Sequence, residues 1–149
     1  MKTSDKGIEQ IKHFEGFRTM PYNDGVGKMT VGYGHMIIPN DGCVVGSPIT
    51  MGQATQLLVN DLHLAENCVN SANAEINQNQ FDALVSFVFN LGCGAFKRSS
   101  LFQFLQKGNM EAAAQEFPKW SMAGGRPNEG IKLRRLAEQA CFEHGTYRE

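Results

Sequence analysis

The chain has 149 residues, of which 42% are hydrophobic and 19% charged. This is long enough for one domain with a full core and too apolar for disorder. A formal charge of −1 excludes a strongly basic nucleic-acid binder or a polybasic membrane anchor as the default reading. The charge is uneven: residues 1–94 hold 5 Lys/Arg against 9 Asp/Glu (−4), and residues 95–149 hold 9 against 6 (+3). That basic bias could meet an anionic polymer; a solvated surface is the simpler reading. No apolar run of about 18 residues predicts a membrane span. Residues 1–10 are polar and lack the apolar stretch of a secretory signal.

Ser4 or Asp5 can cap a first helix, with Ile8, Ile11 and Phe14 at helical spacing and Gly16 as its stop. Residues 17–38 change character. Asp24-Gly25 and Gly27 break the segment, while Met29, Val31 and Tyr33 alternate with Thr30, Gly32 and Gly34. This predicts a hairpin or a small three-stranded sheet. Residues 39–49, with two prolines and two glycines, read as a loop. Thr50 and Gln53 form a capping box for a long helix whose apolar face carries Leu57, Leu58, Leu62, Ala65, Cys68 and Val69. Asn77 to Gln80 opens the next helix. Its run from Phe81 to Phe89 is apolar nearly all round, so it should be the buried centre. Gly92 and Gly94 are read as its end. Short helices are predicted at 99–107 and 110–117, closed by Gly108 and Pro118. Gly124-Gly125-Arg126-Pro127 reads as a turn, and a last helix runs over 130–144 to Gly145. The class is α+β, mainly helical, with one small sheet early.

Cysteines stand at 43, 68, 93 and 141, with no C-x-x-C and no zinc pattern. No metal or cofactor is expected. Pairing Cys43 with Cys68 is awkward. A helix from 51 to 72 would put Thr50 and Cys68 about 27 Å apart, and the seven residues from Cys43 to Thr50 reach at most about 23 Å. With no export signal visible, free thiols are expected, although cysteines near the small sheet leave room for a disulfide formed after export.

Glu15 falls at the C-terminal end of the first helix, where the macrodipole is negative and disfavours an anion. Burial against Phe14 and Phe17 would act in the same direction. Both effects favour the protonated carboxyl that a general acid needs. Asp24, in an Asp-Gly turn among peptide donors, should stay ionised. Two carboxyls with opposed environments make the pair used in glycoside hydrolysis. Thr30, six residues on, offers a hydroxyl that could hold a water. Equally, a Glu at a helix end and an Asp in a turn are each common, and spacing alone goes no further.

The ordered motifs go further. Glu15-Gly16, then Tyr22-Asn23-Asp24-Gly25-Val26-Gly27, then Thr30-Val31-Gly32-Tyr33-Gly34-His35 resemble the active-site region of phage-type lysozymes. These are the T4-like and P22-like endolysins of glycoside hydrolase family 24. The run from Gln80 to Phe87 with Phe89-Asn90-Leu91-Gly92 resembles that family's core helix and following turn. Trp120, Gly124-Gly125 and the stretch from Gly130 to Glu138 resemble its closing block. Together the blocks cover nearly the whole chain.

The resemblance implies a lysozyme-like fold of two lobes around a cleft. One would be a small β-containing lobe at about 17–60. The other would be a helical lobe at about 61–149 plus the N-terminal helix. It implies Glu15 as proton donor, Asp24 as the carboxylate on the opposite face of the sugar, and Thr30 as the holder of the attacking water. It implies peptidoglycan as substrate, cut at the β-1,4 bond between N-acetylmuramic acid and N-acetylglucosamine. Inversion is favoured because the threonine suits a held water. Asn90, with Tyr33 and Gly32, is expected at the substrate. His35 is expected to pair with Asp61. Of Arg134 and Arg135, one is expected to reach Glu15 or the cleft and the other to lie at the surface or in packing. Trp120 is read as core rather than sugar platform.

The alternatives are a lytic transglycosylase, a secreted antibacterial effector of the same fold, and a non-enzymatic glycan binder. The expected setting is synthesis in the cytoplasm as a monomer. Holin- or secretion-system-mediated export to the wall would follow, with an immunity protein or inhibitor as a possible partner. The loop at 39–49 could rim the cleft.

Overall fold

The computed structural model describes residues 1–23, 29–33, 35, 36 and 49–148, with the backbone alone at 18–23, 29, 30 and 36. Asp24, the loop at 39–48 and Cys43 therefore lie outside the described residues.

Helix α1 (Asp5–Glu15) starts at Ser4, whose side chain accepts from the Gly7 N–H, and stops at Gly16. Three short strands follow: β1 (Arg18–Asn23), β2 (Met29–Gly32) and β3 (His35–Met36). They form one antiparallel sheet in the order β1-β2-β3. Thr30, on the central strand, pairs with Tyr22 on one side and Met36 on the other.

Helix α2 (Met51–Ser71) begins with the Thr50–Gln53 capping box, and α3 (Gln78–Leu91) with a second one from Asn77 and Gln80. Every residue of α3 from Phe81 to Val88 is buried. This is the core helix, with α7 (Glu129–His144) and α2 packed against it. Phe87 meets Phe96, Phe117 and Trp120 edge-on, with ring centroids 5.4 to 6.4 Å apart. Trp120 is thus partly buried and packs against the core. Such aromatic contacts contribute about 0.5–1.5 kcal/mol each beyond their buried area.

Between α3 and α7 the chain differs from its sequence reading. Gly92 ends α3, but Gly94 lies inside a further helix, α4 (Cys93–Arg98). After α5 (Ser100–Gln106), α6 (Met110–Ala114) stops three residues earlier than expected. A 3₁₀ turn (Phe117–Lys119) then takes Pro118 at its start, where the missing N–H costs nothing. The Gly124-Gly125 turn joins β4 (Met122–Ala123) to β5 (Arg126–Pro127).

The free-thiol expectation is overturned for two cysteines. Cys68 and Cys93 form a disulfide with Cα atoms 5.9 Å apart. The physical reason is α4. Turning at Gly92 straight into a helix returns Cys93 to the flank of α2, where Cys68 sits on the inner face. Cys141 is a buried free thiol.

A buried carboxylate closes the chain ends. Asp82, on α3, accepts from the Ser4 N–H at 3.0 Å, from the Ser4 hydroxyl, from Gln78 at 2.8 Å and from the Tyr147 hydroxyl at 2.6 Å. Gly7 is required beside it, since a Cβ there would lie 2.7 Å from the Asp82 carboxyl carbon.

Candidate active site

Glu15 is the last residue of α1, and its side chain is 20% exposed. It lines a groove of about 450 Å³ together with His13, Phe14, Asn90, Arg134 and Arg148. A second groove of about 510 Å³, lined by Glu9, Lys12, His13, Phe17 and Tyr33, shares His13 with the first. Lys12, His13, Phe14 and Glu15 of α1 thus each line one or both of these grooves.

Behind Glu15 stands a buried ionic cluster. Arg134 donates from Nη1 to Glu15 Oε1 at 2.9 Å and from Nε to Glu138 Oε2 at 3.3 Å. Its Nη2 reaches the Ser86 carbonyl oxygen at 3.3 Å. Glu138 is fully buried and also accepts from the Ser86 hydroxyl at 2.6 Å. Arg135, also fully buried, lies 2.9 Å from Glu138 Oε1 and donates to the Asn90 side-chain oxygen. Its guanidinium stacks over the Phe87 ring at 5.2 Å. Desolvation pushes the Glu138 carboxyl up and Arg135 down, and on Glu138 both guanidiniums pull the other way.

This arrangement resolves the two arginines. Arg134 is the one on Glu15. Arg135 is neither at the surface nor a bystander, because it holds Asn90. A guanidinium has only donors, so the atom of Asn90 that faces it is the oxygen, and the amide nitrogen is left for the groove.

The structure brings together Glu15, Asn90 and Arg134, with Arg135 directly behind. It sets Tyr33 and Gly32 apart. Tyr33 is buried with its ring 5.3 Å from that of Phe17 and lines the second groove. Gly32 has φ +66°, and a Cβ there would lie 3.0 Å from that of Ala54, so close packing of β2 on α2 accounts for the glycine. His35 Nδ1 lies 2.8 Å from Asp61 Oδ2 on α2. The Thr30 backbone sits on the central strand between Tyr22 and Met36. Asp24 follows β1 directly in sequence and falls outside the described residues.

Sequence reasoning missed Ser86, Glu138 and Arg148. Glu138 had a signal in its spacing, four residues after Arg134 and three after Arg135, which puts all three on one helix face. Arg148 had none. Among the described residues no group of His, Cys, Asp and Glu could hold a metal ion, and no helix is long and apolar enough to cross a membrane.

A helical fold with a small early sheet, and a helix-end glutamate held by an arginine in a groove, is the setting of a lysozyme-like protein. Residues 12–138 match the phage lysozyme family, and the chain belongs to that family. It is 41% identical over 149 residues to an endolysin of Bacillus phage PZA, covering 98% of this chain and 57% of that one. It is 37% identical over 144 residues to the endolysin of Salmonella phage P22, covering 95% and 98%. The chain thus spans little more than half the length of the Bacillus phage relative and nearly all of the Salmonella phage one. A solved endolysin from Escherichia coli O157:H7 phage FAHEc1 superposes with a TM-score of 0.91 at 33% identity, covering 100% of this chain and 98% of that one.

Proposed function

We propose that the protein is a muramidase. It hydrolyses the β-1,4 bond between N-acetylmuramic acid and N-acetylglucosamine in peptidoglycan. The observation that carries this is Glu15: a partly exposed carboxyl at a groove wall, oriented by a buried arginine, in a chain of the phage lysozyme family.

In this reading Glu15 donates its proton to the glycosidic oxygen as the bond to the anomeric carbon breaks. Asp24 stabilises the oxocarbenium-like centre that develops. A water held by Asp24 and the Thr30 hydroxyl passes its proton to Asp24 and attacks from the opposite face, which inverts the anomeric centre. Inversion needs the two carboxyls about 6.5–9.5 Å apart. Asn90 offers its amide N–H to the sugar, and Tyr33 and Gly32 shape the neighbouring wall. His35, Arg134 and Arg135 act through other residues. Arg134 orients Glu15, Arg135 orients Asn90, and His35 ties the sheet to Asp61. The cleft runs between a β-containing lobe at about 17–60 and a helical lobe at about 61–149 that includes α1.

The protein acts on the wall after export. Several relatives, among them one of Bacteriophage PS119 at 33% identity over 126 residues, carry the name SAR-endolysin, which supports an export-linked route. Holin-dependent release, action as a monomer and control by an inhibitor or immunity protein are part of the same proposal.

Mass spectrometry and proton NMR of digested, purified walls test the reaction. New reducing ends with an inverted anomer are expected. 1,6-Anhydromuramic ends would replace hydrolysis by transglycosylation, and absence of both would leave a glycan-binding protein. Asp24→Asn should retain no more than about 1% of wild-type turbidity loss, since the charge it removes stabilises the transition state.

A further inference from the structure

We propose that Arg148, brought to the Glu15 groove by an anchored C-terminal tail, binds a carboxylate carried by the substrate. This rests on the wall-glycan reading above and adds a residue to it.

The tail is built rather than loose. Helix α7 ends at Gly145, where φ is +68° and a Cβ would fall 2.4 Å from the Asn79 side chain, so the turn is tucked against the start of α3. Two residues on, the Tyr147 hydroxyl donates to Asp82 at 2.6 Å. The backbone N–H of Arg148 then donates to Gln10 Oε1 at 2.6 Å, and Gln10 is buried on α1. Tail contacts to two different helices fix its path across α1.

The path ends in the groove. Arg148 lines it with Glu15, Asn90 and Asn128. Of the other ionisable groups there, His13 stands edge-on to Phe14 with ring centroids 5.1 Å apart. Glu15 is paired with Arg134, which is shared with Glu138. Arg148 is exposed and, among the described residues, has no carboxylate within ion-pairing distance. It is thus a cation placed at the groove with its planar donors uncommitted. A guanidinium in that state recognises a carboxylate through two parallel N–H donors. Of the two sugars in the wall glycan, only the muramyl unit carries carboxylates, on its lactyl group where no peptide is attached and on the peptide where one is. Arg148 would therefore favour strands whose acidic groups are free.

The test compares soluble glycan strands with free peptide carboxylates against the same strands after amidation. The variants are Arg148→Gln, Arg148→Lys and, as an equal loss of charge elsewhere, Lys107→Gln. On free-carboxylate strands Arg148→Gln should raise KM about fivefold with kcat held, a size suited to one exposed charged contact. Arg148→Lys should recover part of this. On amidated strands the gap between wild type and Arg148→Gln should shrink below about twofold, because the partner charge is gone. An equal rise on amidated strands, no rise at all, or the same rise in Lys107→Gln would overturn the proposal. If wild type cuts neither preparation, the glycan reading itself fails, a result distinct from normal cleavage that is indifferent to Arg148.

Discussion

Two buried carboxylates on core helices, Asp82 and Glu138, do opposite jobs. Asp82 on α3 collects neutral donors: Ser4 before α1, Gln78 on its own helix and Tyr147 after α7. Glu138 on α7 collects two guanidiniums and the Ser86 hydroxyl. Those guanidiniums pass on to Glu15 and Asn90 at the groove. The first hub closes the fold and the second sets the site. What separates them is the partner chemistry. Neutral donors satisfy a carboxylate locally, whereas an arginine has enough donors to satisfy it and still hold a second residue.

Removing either hub's charge should therefore have different consequences. Glu138→Gln leaves the buried Arg135 guanidinium without a counter-charge and Arg134 with Glu15 alone. It should cost about 3–5 kcal/mol in denaturant unfolding. It should also lower kcat in the fraction that remains folded, because Arg134 and Arg135 lose their anchor. Reducing the Cys68–Cys93 disulfide, which closes 25 residues, should cost about 3 kcal/mol. It touches neither hub, so thermal unfolding should shift while folded-state activity holds. Asp82→Asn turns one of two oxygens that each accept from two donors into an amide nitrogen, and should cost about 1–3 kcal/mol, with activity per folded molecule retained. Equal losses of activity in Asp82→Asn and Glu138→Gln would erase the distinction.

The smallest effect is one of pH. Burial pushes the Cys141 thiol, near Asp82, from 9.0 up to about 12. Its folded value is raised above the unfolded one, so its contribution to stability is fully present below pH 9 and is lost as pH rises toward 12. Tyr147 is shifted upward for the same reason. Unfolding free energy should fall across that alkaline window, and Cys141→Ala should flatten the fall.

Much of the fold was legible because helix ends carry local signals. Ser4, Thr50 with Gln53, Asn77 with Gln80, and Gly16 and Gly145 each act within a few residues of where they stand. Helix α4 was not legible, because Gly92 and Gly94 both read as stops and only the first is one. Its absence from the reading hid the Cys68–Cys93 pairing, which depends on where that short helix returns the chain. In the site, the place of Glu15 at the end of α1 was legible from Gly16. The burial of Arg135 was not. A charged side chain is almost never fully buried unless paired, and Asn90 lies 45 residues away, a contact that only tertiary packing creates.

The central claim is that Glu15, held by Arg134, supplies the proton. Glu15→Gln keeps an oxygen for Arg134 and removes the transferable proton, so reducing-end release from purified walls isolates that one function. Release should fall at least about 10²-fold, with thermal unfolding little changed. Near-wild-type release by a folded Glu15→Gln protein would contradict the account.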